Sequence, residues 1–324
     1  MRHRSSAERR GSYVVLLDGP SRSMDELREL AAYLTELALS DFEVVIVDSS
    51  ESFDRNRQVL RWVGRHLCAR PQHLGVFGKV DAIRAAMDVA ACDKIIVADS
   101  SVRYCSDSLD QVALLLELHE VVEPQDYFDP LPWWGVIEAG RVLVHRSIAS
   151  APDHGATFGF QKRAVRGFRS LDYSSDRCVR RLASQGADVF SAMRVFVRRI
   201  PPAFSQWLRS LPKQAEEEFA IPVKAALFFM LLPVAIALLL TGGTVLAAAY
   251  GGLIAFLAIA LAIRGRAGAS AFFPRRACLF APLWILQRSL SIYWALLWRA
   301  GGGGEPRHVL APMRAQNEQV ATGK

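Results

Sequence analysis

Between Ala225 and Ile263 the chain runs for thirty-nine residues without a charged side chain, and no other stretch limits its folding as sharply. As one unbroken helix this run would be about 58 Å long, against a bilayer hydrocarbon core of about 30 Å. Thr241-Gly242-Gly243 offers a break near the middle, leaving two near-spanning segments, Pro222–Leu240 and Thr244–Ile263. The pattern predicts a transmembrane helical hairpin. Lys224 precedes it, Arg264 and Arg266 follow, and Arg275 and Arg276 lie beyond, so the positive-inside bias puts both ends on the cytoplasmic face. Pro233 and Gly251-Gly252 are tolerated in membrane helices, where small residues also allow close packing. A last apolar segment, Cys278–Trp298, is long enough to span but carries Gln287-Arg288 near its middle. A central Arg costs about 2.5–3.5 kcal/mol on insertion scales. Trp284, Tyr293, Trp294 and Trp298 suit an interface, so the segment reads as an interfacial or third membrane helix.

The first two thirds of the chain read as an ordinary globular domain, long enough to bury a full core. With 51% hydrophobic and 22% charged residues, the protein is not disordered, collagenous or a disulfide scaffold. Thirty-nine Lys and Arg against thirty-two Asp and Glu give a net charge of +7. Such a balance points to nucleic acid, anionic lipid or a phosphorylated ligand. The arginines around the apolar segments account for much of it. There is no aromatic RNA-binding signature and no zinc-finger spacing, which argues against a nucleic-acid partner. Five cysteines without a C-x-x-C fit a reducing compartment and carry no metal or redox signature. Met1–Arg10 is basic and polar with no apolar core directly behind it, unlike a signal peptide. The expected organisation is a basic disordered tail at 1–12, an α/β domain at 13–200 and an amphipathic interfacial segment at 201–221. The hairpin at 222–263, a basic loop at 264–277, the ambiguous helix at 278–299 and a disordered tail at 300–324 complete it.

Within the α/β domain, apolar β-rich runs alternate with helical periodicity. Ser12–Leu17 predicts a strand ending at Asp18-Gly19-Pro20, and Met24–Leu39 has apolar residues at helical spacing. Phe42–Val47 is a second strand, Asn56–Leu67 a helix, Ala82–Ala91 another, and Lys94–Ala98 a third strand. The alternation implies a parallel sheet with helices on both faces, whose ligands bind beyond the carboxyl ends of the strands. Two strands end in aspartate, Val44-Val45-Ile46-Val47-Asp48 and Ile95-Ile96-Val97-Ala98-Asp99. Either alone reads as a turn or N-cap residue; the pair at one edge favours a nucleotide or metal site. Gly78-Lys79 is no Walker loop, and neither G-x-G-x-x-G nor G-x-S-x-G occurs, which argues against dinucleotide enzymes and α/β-hydrolases.

Gly78-Lys79-Val80-Asp81-Ala82-Ile83-Arg84-Ala85-Ala86, followed by a strand ending Val97-Ala98-Asp99-Ser100-Ser101-Val102-Arg103, resembles the inverting family-2 glycosyltransferases of GT-A fold. The similarity is greatest to the membrane-bound branch that includes ceramide glucosyltransferase and the processive polysaccharide synthases. It covers about residues 13 to 220. That family has a G-K-x-x-A-L-N-A-G helix followed by a strand ending in D-x-D. The resemblance implies a nucleotide-diphosphate sugar as donor. Asp48 matches the carboxylate that contacts the nucleoside, with Ser49 where a second acid is usual. Lys79 matches the lysine of the G-K element, with Arg84 where the family has Asn. Asp99 matches the first acid of D-x-D, and Ser101 stands at the second. One carboxylate is then left for a divalent cation, Mg²⁺ or Mn²⁺, a shell that Mg²⁺ accepts with substrate phosphates.

An inverting transferase needs a general base for the acceptor hydroxyl. The family's E-D pair falls here on Ser174 and Ser175, which leaves Asp176 as the candidate, with an N-cap as its other reading. Gln206-Trp207-Leu208-Arg209-Ser210 resembles the Q-x-x-R-W motif that helps hold the diphosphate, with Ser210 in place of Trp. Gln206 and Arg209 share a helix face, and an interfacial helix with a snorkelling Arg gives the same pattern. Gly155–Arg163 resembles the glycine-rich strand beside the acceptor pocket. Together these imply a multi-pass enzyme of the inner, cytoplasmic membrane, its catalytic domain cytoplasmic and its acceptor a lipid or lipid-linked molecule. The serines at 49, 101, 175 and 210 support an alternative, a degenerate homologue that binds nucleotide or acts as a membrane scaffold.

Overall fold

The computed structural model describes residues 9–18, 22–50, 52–68, 79–148, 155–165, 179, 182–218 and 222–300. These form two compact units, one up to Pro202 with Gly252–Trp284, the other Ala203–Gly251 with the residues from Ile285 onward.

In the first unit, β1 (Gly11–Leu17), α1 (Met24–Leu39), β2 (Phe42–Asp48), α2 (Phe53–Leu60), β3 (Arg65–Cys68), α3 (Lys79–Val89) and β4 (Lys94–Asp99) come first. Then follow β5 (Val102–Arg103), α4 (Ser106–Leu118), β6 (Val121–Phe128), α5 (Gly135–Ile148), β7 (Thr157–Gln161), α6 (Lys162–Val165) and β8 (Val189–Arg199). The eight strands make one sheet in the order β3-β2-β1-β4-β7-β6-β8-β5. β1 lies parallel to both β2 and β4, whereas β7 runs antiparallel to β4 and β6. The sheet is therefore mixed, its first half parallel as the alternation implied.

Both faces are covered. Tyr13, Val15 and Leu17 of β1 point into a core closed by Leu30 and Leu34 of α1 and Leu109, Val112 and Leu116 of α4. Val14 and Leu16 point the other way, onto Ala82, Ile83 and Ala86 of α3. This is the period-two pattern of a strand buried on both sides, and each fully buried Leu or Val side chain contributes about 1.5–3 kcal/mol. A capping box fixes the start of α1: Glu26 N–H donates to Ser23 Oγ at 3.2 Å and Ser23 N–H to Glu26 Oε2 at 2.8 Å.

One expected helix is cut short. Asn56–Leu67 reads as helical, yet α2 stops at Leu60 and Arg65–Cys68 pairs with β2 as a strand. Gly64 explains the change, because a Cβ there would lie 2.4 Å from the Val44 carbonyl oxygen. The glycine lets the chain pass against β2 and turn into its edge.

The apolar run forms α8 (Pro222–Gly265), preceded by α7 (Phe204–Glu218). Gly243, at φ 70° and ψ −172°, leaves the helical region and divides α8 into two helices, a conformation glycine adopts without a Cβ penalty. Among the described residues, Ala225–Gly265 is the one helix long and apolar enough to cross a membrane. Little of it is buried in the protein; Leu240, Val245 and Phe256 are 80%, 77% and 67% exposed. The segment expected at Cys278–Trp298 is two helices, α9 (Arg275–Leu279) and α10 (Ala281–Ala300). Pro282 has no N–H to bond back to Cys278, so the chain restarts rather than continuing one helix.

α5 packs on the segment that follows the apolar run. A Cβ on Gly265 would lie 1.8 Å from the Leu143 carbonyl oxygen, and one on Gly140 3.0 Å from that of Ala277. Arg146 donates from Nη1 to Met193 O at 2.7 Å and from Nε to Gly265 O at 3.2 Å. Phe196 of β8 stacks on Phe272 with centroids 4.0 Å apart.

Gly265→Ala should lower the thermal unfolding midpoint of the detergent-solubilised protein, as overpacking a tight contact costs about 1–3 kcal/mol. Gly251→Ala, where a Cβ meets nothing within 4 Å, should leave the midpoint unchanged or raise it. Equal midpoints for the two variants would contradict the close approach of α5 and Gly265.

Candidate functional site

The parallel half of the sheet brings three strand ends to one edge. Leu17 of β1 stands opposite Asp48 of β2, and Leu16 stands opposite Asp99 of β4. Just past the strands, Ser49 N–H donates to Leu17 O at 2.9 Å and Ser100 N–H to Leu16 O at 3.2 Å. Asp48 and Asp99 thus flank the end of β1, on the edge where parallel α/β sheets bind ligands.

Their surroundings differ. The Asp48 side chain is fully buried, and its Oδ1 accepts Ser50 N–H at 2.9 Å and Ser50 Oγ–H at 2.6 Å. Oδ2 accepts Asn56 Nδ2–H at 2.9 Å and lies 3.5 Å from His66 Nε2. Burial raises the carboxyl pKa, but the close approach of His66 and the hydrogen bonds from Ser50 and Asn56 outweigh it and hold the group below its ordinary value. Asp99, by contrast, is half-buried, and its own N–H donates to Ala156 O at 2.9 Å.

Two arginines hold the turn after Asp99. Arg22 donates from Nη2 to Ser100 Oγ and to Asp18 O, the latter at 3.2 Å. Arg103 donates from Nη1 to Ser100 O at 2.7 Å and from Nε to Glu29 Oε1 at 3.0 Å. Arg103 was visible in the Asp99–Arg103 pattern, but Arg22, Asn56 and His66 carried no motif and had no signal in the sequence. Below the turn, Tyr104 OH and Thr157 Oγ1 lie 2.8 Å apart and Thr157 donates to Val97 O at 2.7 Å. Burial raises the Tyr104 phenol far above its ordinary range, so it stays neutral. On β6, Asp126 accepts from Arg199 Nη1 at 3.1 Å.

Of the other expected residues, Lys79 opens α3. Asp176 lies outside the described residues, as does Gly78. Gln206 and Arg209 are exposed on α7, in the second unit, whose buried side chains include Trp207 and Leu211.

Among the described residues no group of three or more His, Cys, Asp or Glu is arranged around a metal. A cation at this edge would take Asp99 as its one described carboxylate, with phosphate and water oxygens completing its shell. A half-exposed carboxylate at a strand end fits that role for Mg²⁺ or Mn²⁺; the enclosed Asp48 does not.

The order and mixed polarity of the sheet define a GT-A-type α/β fold, the architecture of nucleotide-diphospho-sugar transferases. The chain is similar in structure to the mannosyltransferase PcManGT from Pyrobaculum calidifontis, solved in complex with GDP-Man and Mn²⁺. The TM-score is 0.50 at 17% identity, over 90% of this chain and 89% of that one. It also matches glucosyl-3-phosphoglycerate synthase from Mycobacterium tuberculosis, in complex with phosphoglyceric acid, with a TM-score of 0.44 at 12% identity. That match covers 62% of this chain and 76% of that one. No family model matches the sequence, and no curated protein matches it.

Because the folded-state pKa of Asp48 is depressed, its network stabilises the fold above the unfolded carboxyl pKa, near 3.9. That contribution is lost as pH falls through the lower folded value. Asp48→Asn turns an amide N–H₂ toward groups that already donate, and should cost about 1–3 kcal/mol at neutral pH. Thermal midpoints taken from pH 7 downward should show the gap between wild type and variant closing below pH ~4. A gap that stays constant with pH would refute the assignment.

Proposed function

We propose that the protein is a membrane-anchored inverting glycosyltransferase. It moves a sugar from a nucleotide-diphosphate donor to a lipid or lipid-linked acceptor at the cytoplasmic face of the inner membrane. The observation that carries this reading is Asp99 at the end of β4, beside the end of β1, on the ligand-binding edge of a GT-A-type sheet. A mannosyltransferase solved with GDP-Man and Mn²⁺ matches this fold over nine tenths of the chain. The uncharged run, broken at Gly243 and little buried, supports a spanning hairpin. With Lys224 before it and Arg264 after, both of its ends fall on the cytoplasmic side.

On this reading Asp99 holds Mg²⁺ or Mn²⁺ against the donor phosphates, and Asp48 sits under the nucleoside end of the site. Lys79, at the start of α3, is assigned to the diphosphate. A cation held by Asp99 would supply positive charge to offset the negative charge of the departing nucleoside diphosphate. Asp176 takes the proton of the acceptor hydroxyl as that oxygen attacks the sugar carbon from the face opposite the leaving group, which inverts the anomeric centre. We also assign Gln206 and Arg209, one helical turn apart on an amphipathic helix, to donor binding.

A second reading is a catalytically degenerate homologue that binds nucleotide or acts as a membrane scaffold. It is favoured by the full enclosure of Asp48 and by Ser101 in place of the second acid.

The test is nucleoside diphosphate release by the full chain in lipid, with a panel of sugar nucleotides, a membrane lipid extract and Mg²⁺ or Mn²⁺. Wild type should turn over in a metal-dependent way. Asp176→Ala should fall by about 10²–10⁴-fold, the scale of a lost general base, and Asp99→Ala should abolish the metal-dependent release. Donor binding without release in any wild-type preparation would favour the scaffold.

A further inference from the structure

We propose that Arg22 is a ligand of the donor diphosphate, so that part of the donor's affinity needs no divalent cation. The inference rests on the transferase reading and adds to it a residue that no sequence motif marks.

Arg22 stands between the end of β1 and the first turn of α1. Its carbonyl oxygen accepts from Arg55 Nη2 at 2.5 Å. Its guanidinium lies across the edge described above, with Nη2 shared between Asp18 O and the hydroxyl of Ser100, the residue next to Asp99. Backbone and side chain are thus held at separate points, and the charged head is bonded to the residue that follows Asp99, the carboxylate expected to carry a cation.

The other edge of the guanidinium is not satisfied. Nη1 is buried and has no hydrogen-bond partner among the described residues. An unmet donor on a buried cation is costly, and a planar fork of N–H groups matches the oxygens of a phosphate. The neighbouring arginine makes a contrast. Arg103, which grips the other side of Ser100, has its charge matched by Glu29. No described carboxylate pairs with Arg22, which donates to a carbonyl oxygen and a hydroxyl. The amide ends of α1 offer no competing anion site, since Ser23 and Glu26 already cap one another.

The chemistry of the edge fits this role. Where the family pattern has two acids after the strand, the chain has Asp99 and Ser101. Loss of an acid weakens the hold on a cation and removes a negative charge that would repel the phosphates. A fixed guanidinium at the same turn supplies positive charge in its place, with direction as well as sign. A nucleoside diphosphate is the matching ligand class, because the strand edge already carries the expected nucleoside and metal positions.

The experiment is calorimetric titration of the full chain in lipid nanodiscs with GDP, UDP and ADP and with the matching monophosphates, in EDTA and in Mn²⁺. Variants are Arg22→Ala, Arg22→Lys and, as a control on the exposed face of α1, Arg28→Ala. Wild type should bind at least one diphosphate in EDTA, and more tightly than its monophosphate. Arg22→Ala should weaken that binding by about tenfold or more, the scale of a charge-assisted hydrogen bond, and should erase the preference for diphosphate. Arg22→Lys should recover part of it, and Arg28→Ala should match wild type. Thermal midpoints within a few degrees of wild type show that the variants are folded, and if Arg22→Ala is not, the Arg22→Lys comparison decides. Wild-type binding that vanishes in EDTA, or an Arg22→Ala affinity within twofold of wild type, would overturn the role of Arg22 and leave the transferase reading standing. If no diphosphate binds wild type even in Mn²⁺, the transferase reading fails and this inference with it.

Discussion

The parallel pairing of β1 with β2 on one side and with β4 on the other is the constraint from which the site follows. It fixes Leu17 opposite Asp48 and Leu16 opposite Asp99, so two residues fifty-one positions apart in the chain end their strands on one edge. A one-residue slip in either pairing would turn every side chain of that strand to the other face. It would carry Val14 and Leu16 out of the core they share with α3 and Tyr13, Val15 and Leu17 out of the one they share with α1 and α4. Packing on both faces thus sets the register, and the register sets the site.

The same edge treats its two carboxylates in opposite ways. Asp48 is drawn inward, where Ser50, Asn56 and His66 satisfy it. Those contacts outweigh the desolvation that would otherwise favour the neutral acid. Asp99 stays half-buried at the surface of the turn. Between them run Asp18, Arg22 and Ser100, joined by the Arg22 guanidinium. The edge therefore holds one enclosed negative charge, one half-exposed at the turn, and a guanidinium bonded to the residue that follows it. Such an arrangement suits a ligand that carries several negative charges of its own and brings a metal with it.

How far this could be read in advance depended on whether a feature is local. The strands at β1, β2 and β4 were legible because each is a short apolar run closed by a polar residue, and α1 because its apolar residues recur at helical spacing. The end of α2 was not. Asn56–Leu67 keeps a helical pattern through Gly64, and the space that Gly64 vacates is taken by Val44, twenty residues earlier. Likewise the hydrophobic run between 278 and 298 hides the break that Pro282 imposes. In the site, Asp48 and Asp99 could be picked out because they end strands. Arg22 could not, since its role depends on Ser100, seventy-eight residues away in sequence. Asn56 and His66 were hidden in the same way, as each is defined by the buried carboxylate it faces.

The tie between the sheet and the apolar run is equally non-local. The unit that contains the site also contains Gly252–Trp284, which includes the last turns of α8 and the segment beyond it. α5 closes on that segment through close backbone approach and one arginine side chain. Gly265 meets Leu143, Gly140 meets Ala277, and Arg146 clamps both Gly265 and Met193 through their carbonyl oxygens. Backbone contacts of this kind have no rotamers to rearrange, and a packed interior transmits displacement rather than absorbing it. The exposed apolar residues on the last turns of α8, Phe256 and Ile263 among them, therefore share one compact unit with Asp99. On the transferase reading, a bilayer that takes up those side chains also fixes the height and tilt of the strand edge above it. An acceptor whose hydroxyl lies at the lipid surface is then met by a site whose distance from that surface is set by the fold.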